Sequence, residues 1–255
     1  MRFDKIPPVD SLKPYIKHFV ISESTEETTY KIFPSTSLVI GFQYQGQLAS
    51  ITKGQTNQLS TAGITGLSDH VKVFKNSADI GTILVFFTEV GLAFFTSCPA
   101  NELFNQSISL DTLFSKQTIN ETEEKLALAQ TDSERIRVVE RFLLSQLKVI
   151  QRDKLVIEAV RLIYESKGTI RISELNRKLA TSQSPLEKRF RKLVGTTPKK
   201  FASIVRFNTV FNDLTTSSKS LTEICYEHNF FDQSHFIKTF KRYTGETPEH
   251  IKWAE

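Results

Sequence analysis

Two segments of the chain carry the same arrangement of basic, amide and hydroxyl side chains. They cover 182–201 and 232–251, read SQSPLEKRFRKLVGTTPKKF and DQSHFIKTFKRYTGETPEHI, and are identical at seven of twenty positions. Ammonium and guanidinium groups pair with phosphate, and Lys and Gln can also bind the edges of bases. The chemistry that this repeat indicates is therefore recognition of a polyanion.

Each segment predicts an amphipathic helix. Apolar residues recur four positions apart, as Leu186 and Phe190 in the first segment and Phe236 and Phe240 in the second, and this spacing gives a helix one apolar face. The polar candidates on the two helices are Ser184, Glu187, Lys188, Arg191 and Lys192, and Gln233, Ser234, His235, Lys238, Lys241 and Arg242. An apolar face that packs on a helical bundle leaves the cationic face for another molecule.

Two repeated units are predicted around these helices, over about 170–195 and 220–245. Each unit is a short helix, a tight turn and a second helix, which is the arrangement of a DNA-binding helix-turn-helix. The second helix of such a unit enters the major groove, and two units could read groove segments about 34 Å apart. The alternative is that both cationic faces are ordinary solvated surfaces.

Capping signals support these helix boundaries. Thr197 followed by Pro198 predicts a helix start, and Ser220 with Glu223 three positions later forms a capping box. Gly195 and its counterpart Gly245 precede Thr-Pro pairs in both units, so we interpret both Gly-x-Thr-Pro motifs as helix stop and restart signals.

Residues 155–255 resemble the DNA-binding domain of AraC/XylS-type bacterial transcription regulators. The resemblance is carried by FFDQSHFIKTFKRYTGETP at 230–248 and by the S-x-x-x-L-x-K-x-F-R-K-x-x-G-x-T-P pattern of the first unit. Three positions depart from the pattern of that family, since Asn176 and Cys225 stand where small residues are usual and Asn229 replaces a turn glycine. We expect these departures to alter local packing more than function.

The resemblance implies a role for each polar candidate. Base-facing positions are Ser184, Glu187 and Lys188 in the first unit, and Gln233, Ser234, His235 and Lys238 in the second. Phosphate contacts are assigned to Arg191, Lys192, Lys241 and Arg242. The implied partners are double-stranded promoter DNA and RNA polymerase.

The first half of the chain predicts a different kind of domain. β-branched and aromatic runs at 18–23, 37–44, 71–75 and 81–87 are separated by turn residues, and helical patterns follow at 89–97 and 133–150. Thr131, with Glu134 three positions later, predicts a capping box at the start of the second helical pattern. We expect an α+β protein, with a β-rich, cupin- or barrel-like domain over 1–150 that has trailing helices, and an all-α domain over 151–255.

The order of segments 33–46, 64–75 and 83–105 resembles the sensor domains attached to some AraC-type regulators. This resemblance implies a domain that binds a small effector or mediates dimerisation, with no effector-binding residue identified. The alternative is a domain that serves only oligomerisation or a protein partner. Helix 133–150 could form a homodimer contact or pack on its own domain.

Composition agrees with an intracellular DNA-binding protein. Residues 1–150 carry 14 Lys/Arg against 16 Asp/Glu, whereas residues 151–255 carry 19 against 12, which predicts a polyanion partner for the second half. Two cysteines and no apolar leader or membrane-length run lead us to expect a cytoplasmic protein without a membrane partner. Because His18 and His70 are isolated and Cys98 and Cys225 are too few for a thiolate site, we expect no enzyme activity, metal or cofactor.

Overall fold

The computed structural model describes residues 2–217, 219–228, 230 and 233–252, except for the side chains of Gln233, His235 and Lys252. The strands found in this part of the chain, β1 to β10, are Arg2–Ile6, Ile16–Ser24, Thr28–Ile32, Val39–Gln45, Leu48–Thr52, Gln55–Gln58, Ala62–Thr65, Lys72–Asn76, Ile80–Phe87 and Ser107–Ser109. Four of them overlap the predicted β runs: β2 and β9 contain the runs 18–23 and 81–87, and β4 and β8 begin one or two residues later than predicted.

The strands form two antiparallel sheets. One has six strands in the order β1-β2-β9-β4-β7-β10, and the other has four strands in the order β3-β8-β5-β6. Side chains from both sheets line a cavity between them. The prediction of a β-rich N-terminal part is therefore confirmed, and its strands form two facing sheets.

Strand alternation separates the two faces of the larger sheet. On β9, Thr82, Leu84 and Phe86 line the cavity, whereas Ile83 and Val85 are fully buried on the other face. Successive side chains of a strand point to opposite faces, so one sheet can serve a cavity and a packed core at once.

Two helices cover the buried face, α1 (Lys116–Leu128) and α2 (Asp132–Gln146). The predicted capping box at the start of α2 is present, with Thr131 accepting from the Glu134 amide. The apolar stripe of α2 is buried within its own domain, where the Phe142 ring lies 5.6 Å from that of Phe42. This packing agrees with the interpretation that the helix supports its own sheet, and it uses the residues that a dimer contact would need.

The prediction that this helix continues to residue 150 is wrong. The chain becomes extended at Leu147, and the next amide, that of Lys148, donates to the carbonyl of Phe94 at 2.7 Å instead of continuing the helix. Segment 89–97 also differs from a regular α-helix, because it contains a 3-10 helix at Gly91–Phe94.

Helices make up the second half of the chain. In the described residues they are α3 (Lys154–Glu165), α4 (Ile172–Lys178), α5 (Gln183–Val194), α6 (Pro198–Thr216), α7 (Leu221–Glu227), α8 (Gln233–Thr244) and α9 (Pro248–Lys252). The pairs α4–α5 and α7–α8 are the two repeated units, and α6 connects them. The predicted all-α architecture of this part is confirmed.

The two units belong to different apolar cores. Leu186, Phe190 and Val194 of the first unit belong to the same continuous core as the N-terminal domain. Phe236 and Phe240 of the second unit belong to a separate, smaller core. The first unit is thus packed as an extension of the N-terminal domain, whereas the second is not.

One glycine is required where α3 ends. Gly168 has φ +75°, and a Cβ there would meet the carbonyl oxygen of Ala202 and lie 2.6 Å from the amide nitrogen of Arg206, both on α6. Gly54 has a similar φ of +78°, but a Cβ added there would meet nothing within 4 Å. The two glycines therefore share the backbone constraint and differ in the space around them.

We expect Gly168→Ala to reduce the free energy of unfolding by about 2–4 kcal/mol, because it adds a backbone clash to the cost of left-handed φ. Gly54→Ala is the matched control and should cost about 1–2 kcal/mol, since only the φ cost applies there. Urea denaturation of both variants measures the difference. Equal losses of stability would contradict the close packing of α3 against α6.

Candidate DNA-binding site and effector cavity

Helix α5 presents its predicted cationic face to solvent. Its apolar residues Leu186, Phe190 and Val194 are at most 1% exposed. Ser184, Lys188, Arg191 and Lys192 are all exposed, and Glu187 is half-buried. The helix therefore keeps one face in the core and leaves the side chains that can bind phosphate or bases accessible.

Helix α8 has the same arrangement. Phe236, Phe240 and Tyr243 are buried, whereas Ser234, Lys238, Lys241 and Arg242 are exposed. The Arg242 guanidinium lies 4.9 Å from the centre of the Tyr243 ring and donates to the Tyr243 hydroxyl at 3.2 Å, so Tyr243 orients the charged group of an exposed side chain. The predicted positions Gln233 and His235 fall on side chains outside the described part of the structure.

The capping residues predicted from the sequence start and end these helices. Thr197 accepts a hydrogen bond from the Lys200 amide at 3.1 Å with Pro198 in the first turn, and Ser220 and Glu223 form the capping box of α7. Gly195 has φ +100° and Gly245 has φ +80°. Both glycines therefore adopt the left-handed conformation that commonly follows the last turn of a helix.

Two contacts that the sequence analysis did not identify hold the first unit and the start of α6 in place. Arg189, on α5, donates to Asp153 at 2.7 Å. Lys200 donates to Asp69 of the N-terminal domain at 2.7 Å. Burial alone would raise the pKa of Asp69, but hydrogen bonds from Lys200, Asn105 and His70 lower it to about 2. The two residues of each ion pair, Arg189–Asp153 and Lys200–Asp69, are far apart in sequence, so no local pattern indicates these contacts.

The cavity between the two sheets is the second candidate site. Its volume is about 330 Å³, which suits a small organic molecule. Much of its wall is apolar, with Ile32, Phe33, Phe74, Leu84 and Phe86 among the lining residues. The sequence predicted an effector-binding or dimerisation domain here, but no local pattern indicated these positions.

One cationic side chain lies in the wall of this cavity. Lys72 donates to the carbonyl of Gln106 at 3.0 Å and contacts the Ser107 hydroxyl at 3.4 Å. No ion pair to its ammonium is found within the described residues. Burial lowers the pKa of Lys72 to about 8, because an ammonium group is less stable away from water. An anionic group in the cavity would supply a countercharge.

Three potential metal ligands lie together near the second unit, Asp213, Glu227 and His228. Their contacts are those of a structural cluster. His228 Nε2 lies 2.8 Å from Asp213 Oδ2, and Glu227 accepts from Lys219 at 2.6 Å. The His228–Asp213 contact joins the end of α7 to α6.

Among the described residues, no helix has the length and apolar character needed to cross a membrane.

Two family models match the chain. A model described as a helix-turn-helix domain matches residues 175–252, and one described as a domain of unknown function (DUF6597) matches residues 4–109. The first contains both exposed cationic helices, and the second contains most of the cavity.

Curated relatives are regulators by name. An uncharacterised HTH-type transcriptional regulator of Staphylococcus aureus is 27% identical over 133 residues, which is 51% of this chain and 17% of that protein. The Msm operon regulatory protein of Streptococcus mutans is 26% identical over 156 residues, 60% of this chain and 56% of that one. The matched region thus spans less than two thirds of the length of either relative.

Solved structures show distant similarity. ToxT from Vibrio cholerae aligns with a TM-score of 0.49 at 12% identity, covering 92% of this chain and 97% of that one. The xylose-binding transcription activator XylR aligns with a TM-score of 0.37 at 20% identity, covering 51% of this chain and 38% of that one.

The repeated sequence motifs and the family model that matches residues 175–252 identify the C-terminal part of the chain. This part belongs to the helix-turn-helix domains of the AraC type.

Proposed function

We propose that the protein is a sequence-specific DNA-binding transcription regulator whose N-terminal cavity binds a small effector. The observation that carries the DNA-binding half is the pair α5 and α8. Each helix buries its apolar face and exposes basic side chains. In DNA-binding proteins such a helix lies in the major groove and contacts base edges and the flanking phosphates.

The two kinds of contact predict different behaviour. Lys188 and Lys238 occupy equivalent exposed positions on α5 and α8, so we assign them to base edges, where Lys can bind guanine. Arg191, Lys192, Lys241 and Arg242 lie one turn further along and are assigned to phosphate. Phosphate contacts raise affinity for any sequence, whereas base contacts discriminate between sequences.

The direct test is binding of the full chain to the DNA upstream of its own gene, against a scrambled fragment, over a salt series. We expect preference for the upstream fragment and a steep fall of affinity with salt, because counterions are released from each neutralised phosphate. Equal binding to both fragments would contradict sequence-specific recognition at that site, and no binding to either would contradict DNA binding.

Substitution of Lys188 or Lys238 by Ala should cost about 1–3 kcal/mol on the specific site and leave non-specific binding nearly unchanged. Arg191→Ala should instead weaken binding to all sequences and reduce the salt slope by about 1. Lys125→Ala is the control, since Lys125 is an exposed lysine on α1 of the N-terminal domain. Unchanged specificity in both lysine variants would exclude the assigned base contacts.

The effector half of the proposal is supported by the cavity and by Lys72. A 330 Å³ space with largely apolar walls, and one ammonium that has no ion pair among the described residues, favours a small molecule with an apolar body and one anionic group. The alternative from the sequence, a domain that serves only a protein partner or a homodimer, requires no such cavity. Contact with a second copy or with RNA polymerase is a separate proposal that the family resemblance suggests.

We expect aliphatic and aromatic carboxylates of suitable size to raise the thermal unfolding temperature more than the matching alcohols, because only the carboxylates can pair with Lys72. Lys72→Met should weaken carboxylate binding at least about tenfold and leave alcohol binding unchanged. Lys75→Met is the matched control, since Lys75 lies on the same strand and pairs with Glu27 at 2.7 Å.

The pH dependence follows from the lowered pKa of Lys72, about 8 in the unliganded protein. Carboxylate affinity should fall as pH rises above this value, because the ammonium loses its proton and with it the ion pair. Titrations between pH 7 and 10 measure this fall. Affinity that is independent of pH and of Lys72 would show that the anionic group is held elsewhere.

A further inference from the structure

Strand β3 separates the effector cavity from the second helix-turn-helix unit. Tyr30 and Ile32 on this strand line the cavity. Lys31 lies between them, points to the other face as strand alternation requires, and forms an ion pair with Glu246. Glu246 follows Gly245 in the turn after α8. One short strand thus contacts the cavity on one side and the second unit on the other.

Phe33, at the end of β3, contacts both the cavity and the second unit. It lines the cavity and also packs against the core of the second unit. Its ring centre lies 5.0 Å from that of Phe211 on α6, and Phe211 in turn stacks on Phe240 of α8 at 6.2 Å. A chain of three aromatic rings therefore runs from the cavity wall to the second DNA-recognition helix.

The first unit is attached differently. Helix α5 packs on the 3-10 helix Ala100–Leu103, and a Cβ at Gly195 would lie 3.0 Å from the carbonyl oxygen of Ala100. Residues of that 3-10 helix do not line the cavity within the described part of the chain. The first unit also shares its core with the N-terminal domain, so its position is held by extensive apolar packing.

Strand β3 is an edge element of the cavity wall, as is β6, and of these two it is the one that contacts the second unit. It is an edge strand that pairs only with β8 in its sheet, so a shift breaks fewer hydrogen bonds than a shift of a central strand would. Most of its residues are exposed or half-buried. Local rearrangements preferentially involve such weakly packed segments.

We propose that occupancy of the cavity is transmitted through Phe33 and Lys31 to the second helix-turn-helix unit and not to the first. This inference rests on the proposed effector function and specifies how it is coupled to DNA. A molecule in the cavity displaces the Phe33 side of the wall, and the contacts of Phe33 with Phe211 and of Lys31 with Glu246 move α8 relative to α5. The effector thereby changes which DNA spacing or half-site the protein binds best.

Phe33 acts here as a positioning residue, and Phe86 supplies a matched control. Both are half-buried phenylalanines that line the same cavity. Phe86 lies on β9, where its ring stacks on His18 at 4.7 Å, on the sheet opposite β3. Truncating either ring enlarges the cavity, but only truncation of Phe33 removes the contact with Phe211.

The test is hydrogen–deuterium exchange of the full chain, which requires neither DNA nor an identified effector. We expect Phe33→Ala to accelerate exchange in α7 and α8 about tenfold and to change exchange in α4 and α5 less than about twofold. Phe86→Ala should leave both units within about twofold of the wild type. Equal changes in the two units, or none in the second unit, would overturn the proposal.

A variant that fills the cavity tests whether occupancy of the cavity is transmitted to the second unit, rather than whether Phe33 merely stabilises that unit. Gly41 lines the cavity, and a Cβ there would meet the nearest atom, in the Leu84 side chain, at an ordinary 3.4 Å. Gly41→Leu should alter exchange in the second unit, and the alteration should be lost in the double variant with Phe33→Ala. Val39→Phe fills the same space if the first variant does not fold.

The outcomes separate this inference from the proposed function. Unaltered exchange in the second unit of a folded cavity-filling variant would show that Phe33 is only a structural contact, even if the protein binds DNA and carboxylates. Absence of DNA binding together with the expected asymmetry in exchange would contradict the proposed function while leaving the mechanical connection intact.

Discussion

The position of both candidate DNA-recognition helices, α5 and α8, depends on the apolar face of α6. Near its start Phe201 packs on Phe190 of α5, with ring centres 5.5 Å apart, and further along Phe207 packs on Phe240 of α8 at 5.6 Å. A single continuous helix therefore determines the separation of α5 and α8. Burial of large aromatic side chains stabilises such contacts by a few kcal/mol each, so the two cationic faces are held at a defined spacing rather than tethered by a flexible linker.

The same helix joins two regions with different surroundings. Its first part lies in the core that extends from the N-terminal domain, and Lys200 pairs there with Asp69. Its last part lies in the separate second core, which Phe33 contacts from the cavity wall. Because the first part of α6 is held in the larger core, a shift of α8 against the last part of α6 changes the relative position of the two units. A regulator can use such an arrangement to change DNA geometry without unfolding either unit.

The cavity has the opposite physical character from the DNA-binding face. The cationic side chains of α5 and α8 are solvated, which suits a polyanion that brings its own charges to the surface. Lys72 is the reverse case, a cation half withdrawn from water beside apolar walls. Burial of an unpaired charge is costly, and this cost is reduced when an anionic partner enters. The protein therefore has two candidate anion-recognition sites of different size and exposure, and β3 lies between the smaller one and the second unit.

Sequence alone was sufficient for the features that depend on local spacing. The four-residue apolar repeat of α5 and α8, the caps at Thr131, Thr197 and Ser220, and the main strands are local properties, and the structure contains them at the expected positions. The error at 147–150 arose because a tertiary hydrogen bond from Lys148 to Phe94 replaces the next turn of helix, and no local pattern reports such a bond.

Only the tertiary structure decided which sheet faces enclose a cavity, that Lys72 lies in its wall, and that Phe33 meets Phe211. These features join residues separated by tens to more than a hundred positions. They depend on how two sheets and a helical bundle pack, and the periodicity of a strand predicts which residues share a face but not what that face will meet. The amphipathic, cationic character of α5 and α8 could therefore be predicted from the sequence, whereas the connection between these helices and the cavity depends on the tertiary structure.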